Sequence, residues 1–242
     1  MTQDQWSNNP AKPRKRSVIA MLGGECTGKT SLAQALAMDF KIGYIPEVLR
    51  DFVDQCQRSP RMEEQDAILL AQCDAIGEAL SELDPGATGP ILICDPSPWM
   101  TAIYSLQYFG DQAMFAKARA LMLALANAHQ FNWFHLHCAD DIVWRADGLQ
   151  RDGPSHRANS LALIEQYPPL RGIAGHDRVE FLQGGLDERR RVSQCRLDDL
   201  AKRPECLGAP VINAEIIAMH SWRRKQTAKP DKSPIDSCTR IC

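Results

Sequence analysis

Apolar and polar positions along the 242-residue chain switch repeatedly between two periods. Ser17-Val-Ile-Ala-Met-Leu22 is a continuous, β-rich apolar run, the pattern of a strand buried on both faces. Ser31 to Met38 then takes helical spacing. Lys41 to Pro46 reads as a short second strand, and Glu47 opens a helix with Val48, Leu49, Phe52 and Val53 as its apolar positions. Met62 to Leu83 predicts a long amphipathic helix with Ile68, Leu69, Ala71, Cys73, Ala75, Ile76 and Leu80 available to line a core. Asp84-Pro-Gly-Ala-Thr-Gly-Pro90 breaks it. Ile91 to Asp95 reads as a fully buried strand that ends in a carboxylate. Trp99 to Phe109 and Ala113 to His129 have helical spacing, split near Gly110-Asp111. Phe131 to His137 and Val179 to Leu182 are further strands, and Leu186 to Arg203 is a final helix. Strands alternating with helices predict an α/β fold, a parallel sheet with helices on both faces. Met1 to Arg16 is polar and reads as disordered. After Arg203 the periodicity fades, with one short helix over Val211 to His220 and a polar tail from Arg223 to Cys242. The expected division is a tail over 1–16, a folded domain over 17–203 and an extension over 204–242.

Composition narrows the class. Hydrophobic residues make up 44% of the chain and charged residues 24%, with a net charge of −2. Those values suit an ordinary water-soluble domain and supply no global basic field for nucleic acid or an anionic membrane. Nine cysteines are present, but no C-x-x-C pair and no cysteine–histidine metal spacing occurs among them. The apolar run after Lys12-Pro-Arg-Lys-Arg16 is shorter than a signal core, and no run reaches membrane-spanning length. The expectation is a cytoplasmic protein with reduced thiols, no nucleic-acid partner and no membrane partner.

The chemistry is concentrated just after the first strand. Gly23-Gly24-Glu25-Cys26-Thr27-Gly28-Lys29-Thr30 matches G-x-x-x-x-G-K-[ST], between a predicted strand and a predicted helix. In such a P-loop the backbone N–H groups wrap phosphate oxygens, the lysine reaches the β/γ-phosphates, and the last hydroxyl ligates Mg²⁺. Gly23, Gly24, Glu25, Cys26, Thr27, Gly28, Lys29, Thr30 and Ser31 are therefore the expected ATP contacts. Asp95 closes a strand at the end where ligands bind in open α/β sheets, and an aspartate there can hold Mg²⁺ with Thr30 or take a proton. Pro96 follows it where AAA-type motors usually place glutamate, and no N-K-x-D stretch is present. Those absences disfavour a hydrolytic motor and a guanine-specific switch. Glu47 and Arg50 share one helix face at i and i+3 and can hold an acceptor hydroxyl or a phosphate. Trp144 to Arg157 combines turn formers with arginines, the composition of a lid that covers a transferring phosphoryl group, with Arg151 and Asp147 as its contacts.

The ordered series Gly24 to Thr30 with Glu25 as its acidic residue, Pro46 to Arg50, Asp95, Tyr108-Phe109-Gly110, Trp144 to Leu149, and Gly184-Gly185 to Arg189 resembles the kinase domain of NadR-type ribosylnicotinamide kinases. The resemblance runs from about Val18 to Arg203. It implies a P-loop NTPase three-layer fold with a five-stranded parallel sheet. It also implies ATP with Mg²⁺ as donor, the 5′-hydroxyl of nicotinamide riboside or a related nucleoside as acceptor, and Arg189 on the nucleotide. Lys29, Asp95, Glu47 and Arg151 become the catalytic candidates, and Glu47, Arg50, Asp95, Trp99 and Asp147 the substrate contacts. Three positions depart from the family pattern. Its D-T-D reads Asp95-Pro-Ser97 here, the tryptophan before the E-x-x-R glutamate is Pro46, and the lid arginine of D-G-L-R is displaced by one to Arg151. With 16 residues before the first strand, no adenylyltransferase domain is expected. A second reading stays open beside the kinase: a regulatory P-loop protein that binds ATP and phosphorylates nothing.

Overall fold

In the computed structural model, which describes residues 16–145, 153–173 and 175–202, the central strand β1 (Arg16–Leu22) is almost wholly buried. Its residues alternate between the two faces of the sheet. Val18, Ala20 and Leu22 join one apolar cluster, and Ile19 and Met21 the other. This double burial is why the strand reads as an unbroken apolar run.

Around it lie α1 (Lys29–Phe40), β2 (Gly43–Ile45), α2 (Val48–Cys56), α3 (Gln65–Glu82), β3 (Gly89–Cys94), α4 (Trp99–Phe109) and α5 (Met114–His129). The chain continues through β4 (Phe131–Cys138), α6 (Pro154–Gln166), β5 (Arg178–Leu182) and α7 (Leu186–Lys202). The five strands form one parallel sheet in the order β2-β3-β1-β4-β5. Leu32 and Leu36 of α1 and Leu197 of α7 cover one face; α3, α4 and α5 cover the other through Leu69, Ile76, Ile103 and Met122. Each such fully buried side chain stabilises the fold by about 1.5–3 kcal/mol through the apolar surface it removes from water. The expected three-layer P-loop NTPase fold is the one found.

Several features differ from the sequence reading. The helix expected from Met62 begins as a single 3-10 turn, Met62–Glu64. There Glu64 accepts from the Arg61 amide at 2.7 Å and from the Arg58 guanidinium at 2.7 Å, which fixes the turn and starts α3 at Gln65. On α3, Ala71 faces solvent and Gln72 is buried instead. β3 takes in Gly89 and Pro90 as well as the apolar run, pairing with Arg16 and Ser17. Finally, α6 was not expected; Pro154 sits in its first turn, where a missing N–H costs nothing. Arg151 and Asp147 of the anticipated lid lie outside the described residues, as do the tail before Arg16 and everything after Lys202.

Candidate functional site

The loop between β1 and α1 is shaped by close backbone approaches. Gly23 has φ 136°, and a Cβ there would lie 2.8 Å from both the Cys138 carbonyl and Thr27 Oγ1. A Cβ on Gly24 would meet the Arg157 backbone carbonyl and Cγ at 2.9 Å. Neither position has room for a side chain. The Gly24 carbonyl accepts from Thr27 Oγ1 at 2.8 Å and from Lys29 Nζ at 2.6 Å, so the lysine folds back over its own loop. Gly28 caps α1 in the left-handed region at φ 79°, and no side chain caps the helix. The positive end of α1 therefore faces the loop with no side-chain cap and no acidic residue in its first turn.

Arg189 fastens this loop from behind. It is 2% exposed and donates to the Thr27 carbonyl, to the Ala139 carbonyl at 3.1 Å and to the Asp141 carboxylate. Asp141 in turn accepts from the Gly184 amide at 2.5 Å. One guanidinium thus ties the P-loop to the residues just after β4 and, through Asp141, to the turn after β5.

In front of the loop is a cavity of about 930 Å³. Glu25, Cys26, Thr27, Gly28, Lys29, Thr30 and Ser31 line one side. Glu47, Leu49, Arg50, Val53, Gln65, Tyr104, Tyr108 and Phe109 line the other. The sheet order makes this meeting necessary: Ile45 pairs with Cys94, so the chain leaves β2 and β3 side by side and sets Glu47 next to Asp95. The Glu47 carboxylate keeps 20% of its side-chain surface, and Arg50 Nη2 stands 3.5 Å from its Oε2. Burial pushes the Glu47 carboxyl above the usual carboxylate range; the Lys29 charge pulls it back, the Asp95 carboxylate pushes it up further, and Arg50 pulls it down. Asp95 is 2% exposed, its Oδ2 accepts from the Tyr44 hydroxyl at 3.3 Å, and it does not line the cavity. Burial, with Asp95 beside it, raises the Tyr44 phenol to about 12.

Of the other anticipated residues, Gly23 and Gly24 shape the loop but do not face the cavity. Arg189 holds the loop's far side. Trp99 is corrected from a substrate contact to a core residue: it is 5% exposed, its indole N–H donates to the Tyr167 carbonyl at 2.8 Å, and its ring packs on Phe115 at 5.1 Å. A large aromatic just past a strand-end aspartate fits core and cleft equally well in sequence, and here the cluster of α4 and α5 claims it.

Several cavity residues were not anticipated. Tyr108 donates to Glu25 Oε1 at 3.4 Å and stacks on His156 of α6 at 5.9 Å. Gln65 is buried and accepts from Ser105 Oγ at 3.4 Å. His137, near the end of β4 and outside the cavity lining, is lowered to about 4 by burial and by the Lys29 charge. For the glutamines a signal existed: Gln65 and Gln72 lie seven residues apart, two turns of helix, within an otherwise apolar stripe.

Among the described residues no group of three or more His, Cys, Asp and Glu side chains could by itself hold a metal ion, and no helix is long and apolar enough to cross a membrane. No curated protein matches the chain. Among solved structures it is similar to a NadR protein in complex with NR, at 15% identity and a TM-score of 0.56, covering 81% of this chain and 53% of that one. It is also similar to NadR protein in complex with NAD and AMP-PNP, at 15% identity and a TM-score of 0.50, covering 81% and 52%. The chain thus spans about half the length of these proteins, and the likeness is one of fold. The profile of the AAA domain matches residues 18–189, from the central strand through the arginine that fastens the loop, and the chain belongs to the AAA domain family.

Proposed function

We propose that the protein is an ATP-dependent kinase that phosphorylates a hydroxyl group of a small nucleoside-like metabolite. The 5′-hydroxyl of nicotinamide riboside or a related nucleoside is the acceptor that the ordered motifs favour. The observation that carries the reading is Glu47: a carboxylate of raised pKa, in the field of Lys29 and Asp95, on the wall opposite a P-loop.

The residues suit the phosphates of ATP. The uncapped start of α1 and the loop from Gly23 to Ser31 would supply backbone donors, and Lys29 a positive charge. Thr30 and Asp95 would hold Mg²⁺ with phosphate oxygens; both are hard oxygen donors, the type that ion takes. Bound there, Mg²⁺ would neutralise the phosphate charge.

The chain's own work is positioning and proton handling, which dominate phosphoryl transfer. Glu47 accepts a hydrogen bond from the acceptor hydroxyl and takes its proton; a carboxylate with a raised pKa is the better base near neutral pH. Arg50 holds Glu47 in place, and Lys29 stabilises negative charge on the transferring group. Tyr104, Tyr108 and Phe109 offer flat apolar surface for a base or ring. The lid residues Arg151 and Asp147 complete the proposal as charge stabiliser and acceptor contact.

The test is incubation of the protein with ATP and Mg²⁺ against a nucleoside panel, following ADP and phosphorylated product together. The reading expects ADP release that depends on one acceptor and matches product one to one. ATP binding without product from any acceptor would favour a regulatory P-loop protein.

A further inference from the structure

Glu47 occupies the N-cap position of α2 with φ −70° and ψ 109°, the extended backbone usual for a helix cap, yet its side chain caps nothing. A cap residue normally spends its side-chain oxygen on the exposed N–H groups of the first turn. Here that duty passes to another helix. Gln72 of α3 is 3% exposed; its Oε1 accepts from the Val48 amide at 3.0 Å, and its Nε2 donates to the Pro46 carbonyl at 3.3 Å. One side-chain amide therefore grips the backbone on both sides of Glu47. It does so from a rigid, buried helix whose Leu69, Cys73 and Ile76 are locked in the core. The Glu47 carboxylate is left to face the cavity, Arg50 and the Lys29 charge.

We infer that Gln72 is the positioning residue of the acceptor side: by bonding the Pro46 carbonyl and the Val48 amide, it fixes where the Glu47 carboxylate stands. The inference rests on the reading of Glu47 as the acceptor-side carboxylate. Its physical basis is the geometry tolerance of catalysis, since a misplacement of about 1 Å can cost roughly a hundredfold in rate. A buried glutamine opposite two backbone groups also has no apolar substitute that leaves both satisfied. The residue acts through Glu47 and touches no reacting atom.

Gln72→Met keeps the volume and removes both bonds. Exchange of the Val48 amide, followed by NMR, is expected to speed up by about tenfold or more. In steady-state kinetics with ATP and the best acceptor of the nucleoside panel, acceptor kcat/KM is expected to fall about tenfold, with the ATP KM within about twofold of the parent. In a Glu47→Gln background the same change is expected to cost less than about twofold, because a residue that acts through Glu47 has nothing left to position. Gln72→Asn keeps a buried amide one methylene too short to span both groups. It is expected to show the same split, and it decides the matter should Gln72→Met fail to fold. Unchanged Val48 exchange, equal losses for ATP and acceptor, or equal losses in both backgrounds overturn the inference. If Glu47→Gln alone leaves acceptor turnover at the parental level, or no acceptor is phosphorylated, the reading of Glu47 has failed and the inference falls with it. A Glu47→Gln loss without a Gln72 effect overturns the inference alone.

Discussion

The two walls of the cavity are built by opposite means. The P-loop wall comes from one contiguous segment, Glu25 to Ser31, and is stiffened by the backbone geometry of Gly23 and Gly24 and by the buried guanidinium of Arg189. The facing wall comes from α2, α3 and α4, and its key carboxylate is placed by a glutamine 25 residues further along the chain. Phosphates are alike in every nucleotide, so a fixed backbone cradle serves them all. An acceptor must be distinguished by shape and by a few polar groups, and a wall made of side chains from several helices can vary one residue at a time. The difference teaches that loop contacts and acceptor contacts should fail separately when mutated.

That separation can be broken or sharpened at four points. The largest effect belongs to Lys29→Ala, expected to lower turnover by about 10³-fold or more, because its charge offsets that of the transferring group. Thermal unfolding should show the fold intact, since among the described residues the ammonium bonds only the Gly24 carbonyl of its own loop. Next, Glu47→Gln should lower acceptor kcat/KM by about 10²-fold while ATP affinity stays unchanged. The same variant should raise the Tm at neutral pH. The folded-state pKa of Glu47 lies above the ordinary one, so the protonated form is favoured by the fold, and that advantage is lost as pH rises through the folded pKa. A neutral glutamine removes the cost of the buried charge.

Arg189→Met acts on the other wall. It strips partners from the Thr27 and Ala139 carbonyls and from Asp141, and is expected to destabilise the chain by about 2–4 kcal/mol. ATP affinity should fall about tenfold, measured by calorimetry, with acceptor KM moving far less.

The smallest effect at neutral pH is acid sensitivity. Burial lowers His135 to about 3 and His137 to about 4, from an ordinary 6.5. Both rings are held neutral in the fold, so the unfolded chain binds more protons below pH 6.5, and stability falls as pH drops from there towards 4. Each ring contributes on the order of 3 kcal/mol at the acid end. Urea unfolding of His137→Asn at pH 7.5 and pH 4.5 should give a visibly flatter pH dependence than the parent.

The same contrast explains how much could be read in advance. β1, the P-loop and α1 were legible because strand, glycine loop and helix follow one another without a gap. The nearness of Glu47 to Asp95 was legible because each follows the end of a strand, and the β2–β3 register brings those ends together. Trp99 was misassigned because a single sequence shows that a residue is large and apolar but not which face of its helix meets the core. The place of Gln72 in the apolar stripe of α3 was visible, but its role was not, because its partners are backbone groups of Pro46 and Val48, which carry no side-chain signature. The helix α6 was hidden by the arginines before it, although Gly153-Pro154 marked its start.

The most direct test of the kinase account is a comparison of parent and Glu47→Gln protein in two measurements on one preparation, ATP binding and acceptor-dependent ADP release. The account predicts ATP affinities within about twofold of each other and a fall of about 10²-fold in the ADP released on adding the acceptor. Equal acceptor-dependent release by the two proteins, or ADP release in the parent that ignores the acceptor altogether, would contradict it.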